Sequence, residues 1–298
     1  MITPNFDRLA AKSVLFDHAY AQIAVCNPSR DSMLTGLRPD STGTYAFQTS
    51  YEPHLLLPQR MVASGYNTAG FGKTLHWETT DKSNVPSFYC FIMFVSKARE
   101  GYWSYDSWDG NWYDYQGKEI NFMNSTVMPD KILPEDKFRD YLFTTRTIQT
   151  LKKLVKEPKY FMLSIGFKNP HLALHVPHRY YEMYKNKTGA FKLSKKELRF
   201  PLHASAAGYK CCAEPTFRFM KNEGAARSRS SFPVGDINSP ISQAMRDEIM
   251  TGYCAMISYT DTQLGRILDA IDELKLWETL TIVLTADHGM HNGEKGIW

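Results

Sequence analysis

The chain has 298 residues, 43% of them hydrophobic and 22% charged, so it can form one large domain or two smaller ones. This composition excludes a disordered or fibrous protein. The formal net charge of +4 is small for this length and gives no indication of nucleic-acid binding. No apolar run approaches the roughly 20 residues that a membrane-spanning helix needs.

The cysteines and the chain start bear on the cellular compartment. The five cysteines are Cys26, Cys90, Cys211, Cys212 and Cys254. Their spacing indicates neither a metal motif nor a dense disulfide framework, and their odd number leaves at least one thiol unpaired within the chain. No signal peptide is visible between Met1 and Thr3-Pro4-Asn5. Glycosylation sequons at Asn124 and Asn186 weakly favour a secretory route.

The first quarter of the chain predicts short helices and strands. They are a helix starting at Thr3-Pro4, a strand at Val14 to Tyr20, a strand end at Gln22 to Val25, a helix at Ser29 to Leu37, a helix at Leu55 to Ser64 and a strand at Tyr66 to Gly72. Pro28 lies near the start of the Ser29 helix, which places Cys26 at a strand-to-helix turn. Backbone N–H groups at such a turn favour negative charge.

The second half predicts longer elements. A long helix opens at Pro134 and stops before Pro158, a strand covers Tyr160 to Gly166, a second long helix covers Pro240 to Leu274, and a fully buried strand covers Leu280 to Ala286. The two clearest strands each follow a long helix. This order predicts an α/β layered fold with a mostly parallel sheet.

The segment from Gly101 to Gly117 is unusually aromatic. It contains Tyr102, Trp103, Tyr105, Trp108, Trp112, Tyr113 and Tyr115. Aromatic rings at this density can stack on sugar rings, but they can equally hold a surface loop together by burying one another. Both interpretations stay open at this point.

Polar side chains follow the predicted strands at four places. These are Cys26 with Arg30, Gly72-Lys73-Thr74-Leu75-His76, Lys168-Asn169-Pro170-His171, and Asp287-His288 followed by His291, Glu294 and Lys295. Taken singly, each has an ordinary explanation: a buried free thiol, a solvated lysine or histidine, or an aspartate capping a helix. The Gly-Lys-Thr triplet lacks the upstream glycine of a phosphate-binding P-loop, since Asn67 occupies that position.

Taken together, these clusters indicate a single functional site. In α/β sheets the chemistry gathers at the carboxyl ends of the strands. The cations and proton carriers suit a tetrahedral anion such as sulfate or phosphate; they are Arg30, Lys73, His76, Lys168 and His171. Asp287 offers a hard oxygen ligand to a divalent cation, which would further polarise the transferring group.

Two motifs make a family resemblance specific. Cys26-Asn27-Pro28-Ser29-Arg30 with Thr35-Gly36 resembles the first signature of the type I sulfatases. Gly65-Tyr66-Asn67-Thr68 with Gly72-Lys73 and His76 resembles the second. The resemblance covers nearly the whole chain and is weakest from Cys90 to Val127 and from Phe191 to Gly235. It implies an alkaline-phosphatase-like layered fold, with a large, mostly parallel central sheet flanked by helices and residues 1–298 forming the N-terminal catalytic domain.

The resemblance also implies catalytic roles. Cys26 would be oxidised to formylglycine (3-oxoalanine) by a generating enzyme that reads Cys-x-Pro-x-Arg, and a hydroxyl of the hydrated aldehyde would attack sulfur. Arg30 and Lys73 would hold the modified side chain and the sulfate oxygens. His171 would donate a proton to the departing sugar oxygen, and His76 would assist the release of sulfate.

Substrate and metal ligands follow from the same resemblance. Lys73, Lys168 and His171 would contact the substrate. Asp287 and His288 would ligate Ca²⁺ together with the modified Cys26, although imidazole is an unusual ligand for so hard an ion. The implied function is hydrolysis of sulfate esters on a sulfated glycan, in glycosaminoglycan degradation, by a lysosomal or secreted glycoprotein. The implied partners are that glycan and the formylglycine-generating enzyme, without nucleic acid or a membrane span.

The sequence also departs from the family pattern. The resemblance predicts an aspartate pair just upstream of the Thr3-Pro4-Asn5 helix, a sulfate-binding lysine just past Trp298 and a smaller C-terminal domain, none of which the sequence contains. Leu172-Ala173-Leu174 interrupts a normally tighter Pro-His-x-Pro turn. The chain is therefore interpreted as partial. Two alternatives remain: an inactive product that at most binds sulfated glycan, and a phosphodiester or phosphonate monoester hydrolase of the same superfamily.

Overall fold

The computed structural model describes residues 1–45, 54–74, 112–113, 119–120, 134–171, 176–185, 187 and 243–291. The described helices are α1 (Pro4–Ala10), α2 (Cys26–Thr35), α3 (Pro39–Thr42), α4 (Leu57–Ala63), α5 (Arg139–Leu154), α6 (His178–Glu182) and α7 (Gln243–Glu273), with a 3₁₀ turn at Glu135–Lys137. The described strands are β1 (Asn67–Gly72), β2 (Trp112–Tyr113), β3 (Glu119–Ile120) and β4 (Phe161–Gly166).

Strands β1 and β4 form a parallel pair. Their register runs from Asn67 opposite Phe161 to Gly72 opposite Gly166. The predicted strands at Tyr66 to Gly72 and Tyr160 to Gly166 are therefore confirmed, as is a parallel relationship between them. Because the two strands end in register, the residues that follow them leave the sheet at the same edge.

An apolar layer of helices supports this pair. A buried core cluster joins α1, α5 and α7 and is made of Leu9, Leu151, Leu264, Leu268 and Ile271. Phe161 and Leu163 of β4 pack against it. Among the described helices, none combines the length and the apolar character that crossing a bilayer requires.

A polar contact docks α1 on α7. The Asp261 carboxylate of α7 accepts the backbone N–H groups of Asn5 and Phe6 at 2.9 and 2.8 Å. These donors belong to the first turn of α1, where helical N–H groups lack partners within the helix. The Asp261 side chain of α7 thus caps the N-terminus of α1.

Two predicted strands are wrong. Val14 to Tyr20 is not a strand, and Phe16 is 77% exposed. Leu280 to Ala286 forms no strand either; Leu280 and Ile282 pack against the core cluster, whereas Val283 is 82% exposed. A strand needs a neighbour that supplies ladder hydrogen bonds, and no described strand pairs with either segment.

Smaller differences concern where elements begin. Gln22 to Val25 is irregular rather than a strand end, and α2 begins at Cys26, three residues before the predicted start. The helix expected from Pro134 starts as a 3₁₀ turn and becomes α-helical at Arg139, because Phe138 adopts an extended conformation (φ −68°, ψ 142°). The helix predicted for Pro240 to Leu274 is confirmed as α7.

Candidate active site at the carboxyl edge of the sheet

Cys26 occupies the first helical position of α2. Val25 is extended (φ −140°, ψ 134°) and forms the N-cap, so the chain turns into the helix at the cysteine. Pro28 lies in the first turn, where its missing N–H costs nothing because that group has no partner within the helix. Cys26 is 7% exposed and is a free thiol. The prediction that it stands at a helix start is confirmed.

Two basic side chains contact the sulfur of Cys26. The Nε2 atom of His288 lies 3.1 Å from Sγ, and the Nζ atom of Lys73 lies 3.4 Å from it. Burial raises the pKa of the Cys26 thiol, but the hydrogen bond from His288 and the charge of Lys73 outweigh this effect, so the pKa is lowered overall. The site therefore stabilises negative charge at the position of the Cys26 side chain.

Lys73 reaches the sulfur because β1 ends directly before it. Gly72 has a φ of +68°, and a Cβ atom there would overlap the carbonyl oxygen of Gly166. The Lys73 N–H donates to that oxygen at 2.6 Å, which anchors the turn to β4. Burial lowers the pKa of the Lys73 ammonium, while the adjacent Cys26 side chain opposes this effect. Only glycine fits this close approach of two strands.

Arg30 and Asp287 form a largely buried ion pair beside the cysteine. The Asp287 Oδ2 atom accepts a hydrogen bond from the Arg30 Nε atom at 3.0 Å, and the Arg30 Nη2 atom lies 2.9 Å from the same oxygen. Burial raises the pKa of the Asp287 carboxyl, but the charges of Arg30, His288 and Lys73 outweigh it and lower the pKa overall. Asp287 is therefore ionised at neutral pH, and its charge is balanced by its neighbours.

Backbone contacts fix the pieces of this cluster. The Arg30 Nη1 atom donates to the carbonyl oxygens of Lys73 and Thr74, so one guanidinium links α2, the end of β1 and Asp287. The Ser29 hydroxyl donates to the Asp287 carbonyl oxygen. Ser29 and Asp287 are 258 residues apart in the chain, so this hydrogen bond joins two distant segments at the site.

The His288 ring is oriented by its second nitrogen. Nδ1 lies 2.7 Å from the Gly289 carbonyl oxygen, which requires Nδ1 to carry a proton and directs Nε2 towards Cys26. The hydrogen bond to Cys26 raises the pKa of His288, with burial opposing it. An imidazole held in this way can either carry a proton at Nε2 or offer its lone pair there.

Three side chains of the cluster are close enough together to share a cation. One ligand atom each from Cys26, Asp287 and His288 lies within 4.8 Å of the others. These are the three predicted metal ligands, and the structure brings them together. The Asp287 carboxylate suits Ca²⁺, but a sulfur and a nitrogen suit softer ions, so this set fits Ca²⁺ better once an oxygen replaces the Cys26 sulfur.

The predicted residues Lys168 and His171 lie in a tight turn after β4. The His171 N–H donates to the Lys168 carbonyl oxygen at 2.9 Å. This turn starts two residues after Gly166, the register partner of Gly72, and so leaves the sheet beside Lys73. Both residues are half-buried.

Asp140 is a buried residue of the site region that the sequence patterns did not single out. Its carboxylate accepts the backbone N–H groups of Lys168 and Asn169 at 2.9 and 3.0 Å. An acidic residue that aligns with the core face of an amphipathic helix was the available signal for a buried role.

Some predicted features lie outside the described residues. His76 is among them, as are Asn124, Asn186, Leu172 to Leu174, Glu294 and Lys295. The aromatic segment Gly101 to Gly117 is described only for the backbone of β2. His291 is described and is exposed.

The fold and this site define a class of protein. A family model described as Sulfatase matches residues 1–298, so the chain belongs to the sulfatase family. Iduronate 2-sulfatase of Homo sapiens is 31% identical over 99% of the chain. Within the family, the sequence segments Leu37 to Asp40 and Ser258 to Thr262 favour this relative, and the comparison confirms that interpretation. The chain spans about half (52%) of that relative's length.

Solved structures confirm the fold. An enzyme in complex with its substrate D-glucosamine-2-N,6-O-disulfate superposes with a TM-score of 0.65 at 20% identity, covering 99% of the chain and 62% of that structure. The phosphonate monoester hydrolase of Agrobacterium radiobacter gives a TM-score of 0.61 at 20% identity, covering 98% and 59%. The alkaline-phosphatase-like α/β fold predicted from the sequence is therefore present.

Proposed function

We propose that this chain is the catalytic part of a sulfuric ester hydrolase that acts on a sulfated glycan carrying an iduronate-2-sulfate-like group. The observation that carries the proposal is the convergence of Cys26, Arg30, Lys73, Asp287 and His288 at one sheet edge in a chain of the sulfatase family. The 31% identity to iduronate 2-sulfatase supports the substrate class.

The site suits a sulfate group because its positively charged side chains are buried next to Cys26. Arg30 and Lys73 are 7% and 6% exposed. The first turn of α2 adds backbone N–H groups directed at the same region. Charges held in place in a poorly solvated site stabilise the charge that develops on the transferring group more than they would in water.

The nucleophile of the proposed reaction derives from Cys26. Conversion to formylglycine by the generating enzyme replaces the sulfur with a hydrated aldehyde, which supplies an oxygen nucleophile for attack on sulfur. Lys73 and His288 already contact the Cys26 side chain and would hold the proton and charge of the oxygen that replaces it. The pKa of the present thiol is lowered although burial opposes it, which supports an anion at this position.

Proton transfer to the leaving sugar oxygen is assigned to His171. Its turn leaves the sheet beside Lys73, as the register of β1 and β4 requires. Lys168, in the same turn, would bind substrate. His76 would assist sulfate release.

Asp287 and His288, with the converted Cys26, would hold the family's Ca²⁺. When bound, the ion would polarise the sulfate group. We further propose that the protein is a lysosomal or secreted glycoprotein whose partners are the sulfated glycan and the formylglycine-generating enzyme.

A phosphonate or phosphodiester hydrolase is the second candidate. The observation that favours it is the cationic cluster itself, because Arg30 and Lys73 can bind a tetrahedral phosphorus group as well as sulfate. A non-catalytic glycan-binding protein is a third candidate, favoured because only one of the three described metal-ligand candidates, Asp287, is a carboxylate.

Mass spectrometry of the Cys26 peptide tests the proposed nucleophile. The chain co-expressed with a formylglycine-generating enzyme is digested and compared with the Arg30→Ala variant, which lacks the recognition arginine. We expect the mass loss of thiol-to-aldehyde conversion in the wild type but not in the variant. A wild-type peptide that retains its thiol under these conditions would refute the proposal.

Release of sulfate from a panel of sulfated monosaccharides tests the substrate class. The converted chain should act on 2-O-sulfated iduronate faster than on 6-O-sulfated glucosamine. Equal rates on both sugars, or a preference for the second, would contradict the iduronate assignment while leaving sulfate-ester hydrolysis in place.

A further inference from the structure

The carboxylate of Asp140 is fully enclosed by the protein. Asp140 is the second residue of α5 and is 2% exposed. Burial raises the pKa of its carboxyl to about 6, and the N–H groups of Lys168 and Asn169 and the charge of Lys168 act in the opposite direction. A buried carboxylate is costly unless its oxygens are hydrogen-bonded, so its partners explain why it can be there.

Those partners are consecutive backbone groups of one loop. Oδ1 accepts the Lys168 N–H at 2.9 Å and Oδ2 accepts the Asn169 N–H at 3.0 Å. Each oxygen of one rigid carboxylate thus binds one of two neighbouring peptide groups. This arrangement fixes both the position and the orientation of the chain at Lys168 and Asn169.

The contact of the Asp140 carboxylate with Lys168 and Asn169, called the clamp below, lies at the start of the turn that ends at His171. The His171 N–H donates to the Lys168 carbonyl oxygen at 2.9 Å, which closes a four-residue turn from Lys168 to His171. Asp140 holds the first two residues of this turn from one side. The location of the fourth residue is therefore set by the geometry at the first two.

The helix that carries Asp140 also packs on the sheet. Helix α5 packs against both β1 and β4, and a Cβ atom at Gly72 would touch the Phe143 ring of α5. The same helix thus contacts the end of β1 that carries Lys73 and the turn that carries His171. Its position relates these two parts of the candidate site to each other.

We propose that Asp140 is a positioning residue that holds the Lys168–His171 turn so that the His171 imidazole can deliver its proton to the leaving group. The inference rests on the proposed function, which assigns His171 as that donor. Asp140 itself touches no reacting atom. It acts through the peptide groups that it binds.

The test combines three variants of the converted full-length protein. Asp140→Asn keeps the shape of the side chain but replaces one acceptor oxygen with an NH₂ group that faces a backbone N–H. Thr147→Val is the matched control, because Thr147 is also buried in α5 and its hydroxyl bonds the Phe143 carbonyl oxygen of its own helix. His171→Gln removes the proposed proton donor.

Hydrogen exchange measures the clamp without reference to activity. In Asp140→Asn, peptides covering 167–171 should exchange about tenfold faster, while those covering β1 exchange as in the wild type. Thr147→Val should leave both unchanged. Unaltered exchange at 167–171 in the asparagine variant would overturn the clamp. If the asparagine variant does not fold, Asp140→Glu, which keeps the charge on a longer side chain, gives the same comparison.

Leaving-group dependence measures the effect on His171. Loss of a general acid slows esters of poor leaving groups most, so Asp140→Asn should reduce kcat about tenfold more for an alkyl sulfate than for an aryl sulfate. KM should change little. In the His171→Gln background the same substitution should add no further loss on the alkyl sulfate.

The outcomes separate the two claims. Equal losses on both esters, or additive losses in the double variant, would overturn the positioning role while sulfate hydrolysis stands. A wild-type protein that converts Cys26 but hydrolyses neither ester would overturn the proposed function and the positioning role with it. The exchange result would then describe a structural contact only.

Discussion

Arg8 and Arg30 both bind aspartate, and a comparison of these two ion-pair sites, called the Arg8 pair and the Arg30 pair below, shows how the surroundings change the effect of an ion pair. Arg8 binds Asp269 and Asp272 on the outside of α7, with side chains 30%, 71% and 49% exposed. Arg30 binds Asp287 at the sheet edge, where the side chains are 9% and 18% exposed. Water screens the first pair, whereas the second pair lies next to Cys26 and Lys73 and sets the charge of the candidate site.

The two pairs also differ in what else they hold. The Arg8 pair fastens α1 to α7, a junction that the apolar cluster and the Asp261 cap already secure. The Arg30 guanidinium additionally donates to the carbonyl oxygens of Lys73 and Thr74. Removing it would leave a buried carboxylate and two carbonyl groups without their donor. Removal of one partner of a buried ion pair costs more stability than replacement of both partners.

The largest effect is expected for Arg30→Ala. Because the variant leaves Asp287 buried without its main partner, we expect a loss of about 3 kcal/mol in the free energy of unfolding. Sulfatase turnover should fall by about 100-fold or more. Urea denaturation and aryl sulfate kinetics measure the two effects. Arg30→Lys should recover part of the stability; wild-type stability for Arg30→Ala would show that the pair is no more important than the exposed one.

The next largest effect is expected at Asp31, a buried carboxyl beside Arg30 in α2 for which the described residues supply no ion pair. Asp31 is 1% exposed, and no described residue hydrogen-bonds its carboxylate oxygens with good geometry. Burial raises its pKa to about 6, and the nearby Thr44 hydroxyl offsets this only in part. A burial-raised pKa means that the folded state binds this proton more tightly than the unfolded chain, in which an aspartate has a pKa of about 3.9.

Asp31→Asn should therefore stabilise the protein at neutral pH. The penalty for ionising Asp31 is absent below about pH 4, grows between about pH 4 and 6, and is complete above pH 6, where it amounts to about 3 kcal/mol. Denaturation at pH 4.5 and pH 7.5 measures this. The stabilisation should appear at the higher pH and shrink at the lower one. A variant that is equally destabilised at both values would mean that Asp31 has a partner.

A smaller effect is expected from His288→Asn in the chain before conversion of Cys26. The hydrogen bond from His288 is the largest of the interactions that lower the pKa of the thiol against the effect of burial. Its loss should raise that pKa and slow alkylation of Cys26 by iodoacetamide at neutral pH several-fold. His291→Asn, at an exposed histidine three positions further along, is the control. Equal alkylation rates in all three proteins would argue against the contact.

The smallest effect is expected for Arg8→Ala. Exposed ion pairs typically contribute about 0.5 kcal/mol, and added salt weakens them further. Thermal unfolding at low and high ionic strength should show a small difference from the wild type that disappears at high salt. A loss comparable to that of Arg30→Ala would remove the contrast between the two pairs.

The sequence allowed much of the site edge to be predicted, because the residues concerned obey local rules. Gly65 and Gly72 mark the ends of α4 and β1 with positive φ angles. The apolar run of β4 fixes a strand whose parallel neighbour must end at the same edge. Cys26, Lys73 and Asp287 were expected at that edge and meet there.

Other features depend on contacts that no local pattern encodes. Val14 to Tyr20 and Leu280 to Ala286 have strand-like sequences, but a strand requires a partner elsewhere in the chain. Asp140 was not predicted because its partners, the N–H groups of Lys168 and Asn169, come 28 and 29 residues later. The site was predictable at Lys73, which follows β1, and unpredictable where a helix side chain supports it. Cys26 and Asp287 reach the same edge although the segments before them are not strands.

The most direct test of the central claim is the ratio of kcat/KM for an aryl sulfate to that for the matching aryl phosphate, measured on the converted protein. Membership of the sulfatase family predicts a ratio well above one. The proposed nucleophile predicts loss of sulfate turnover in Cys26→Ala. A ratio below one, or sulfate turnover that survives the removal of Cys26, would contradict the assignment of this sheet edge as a sulfatase active site.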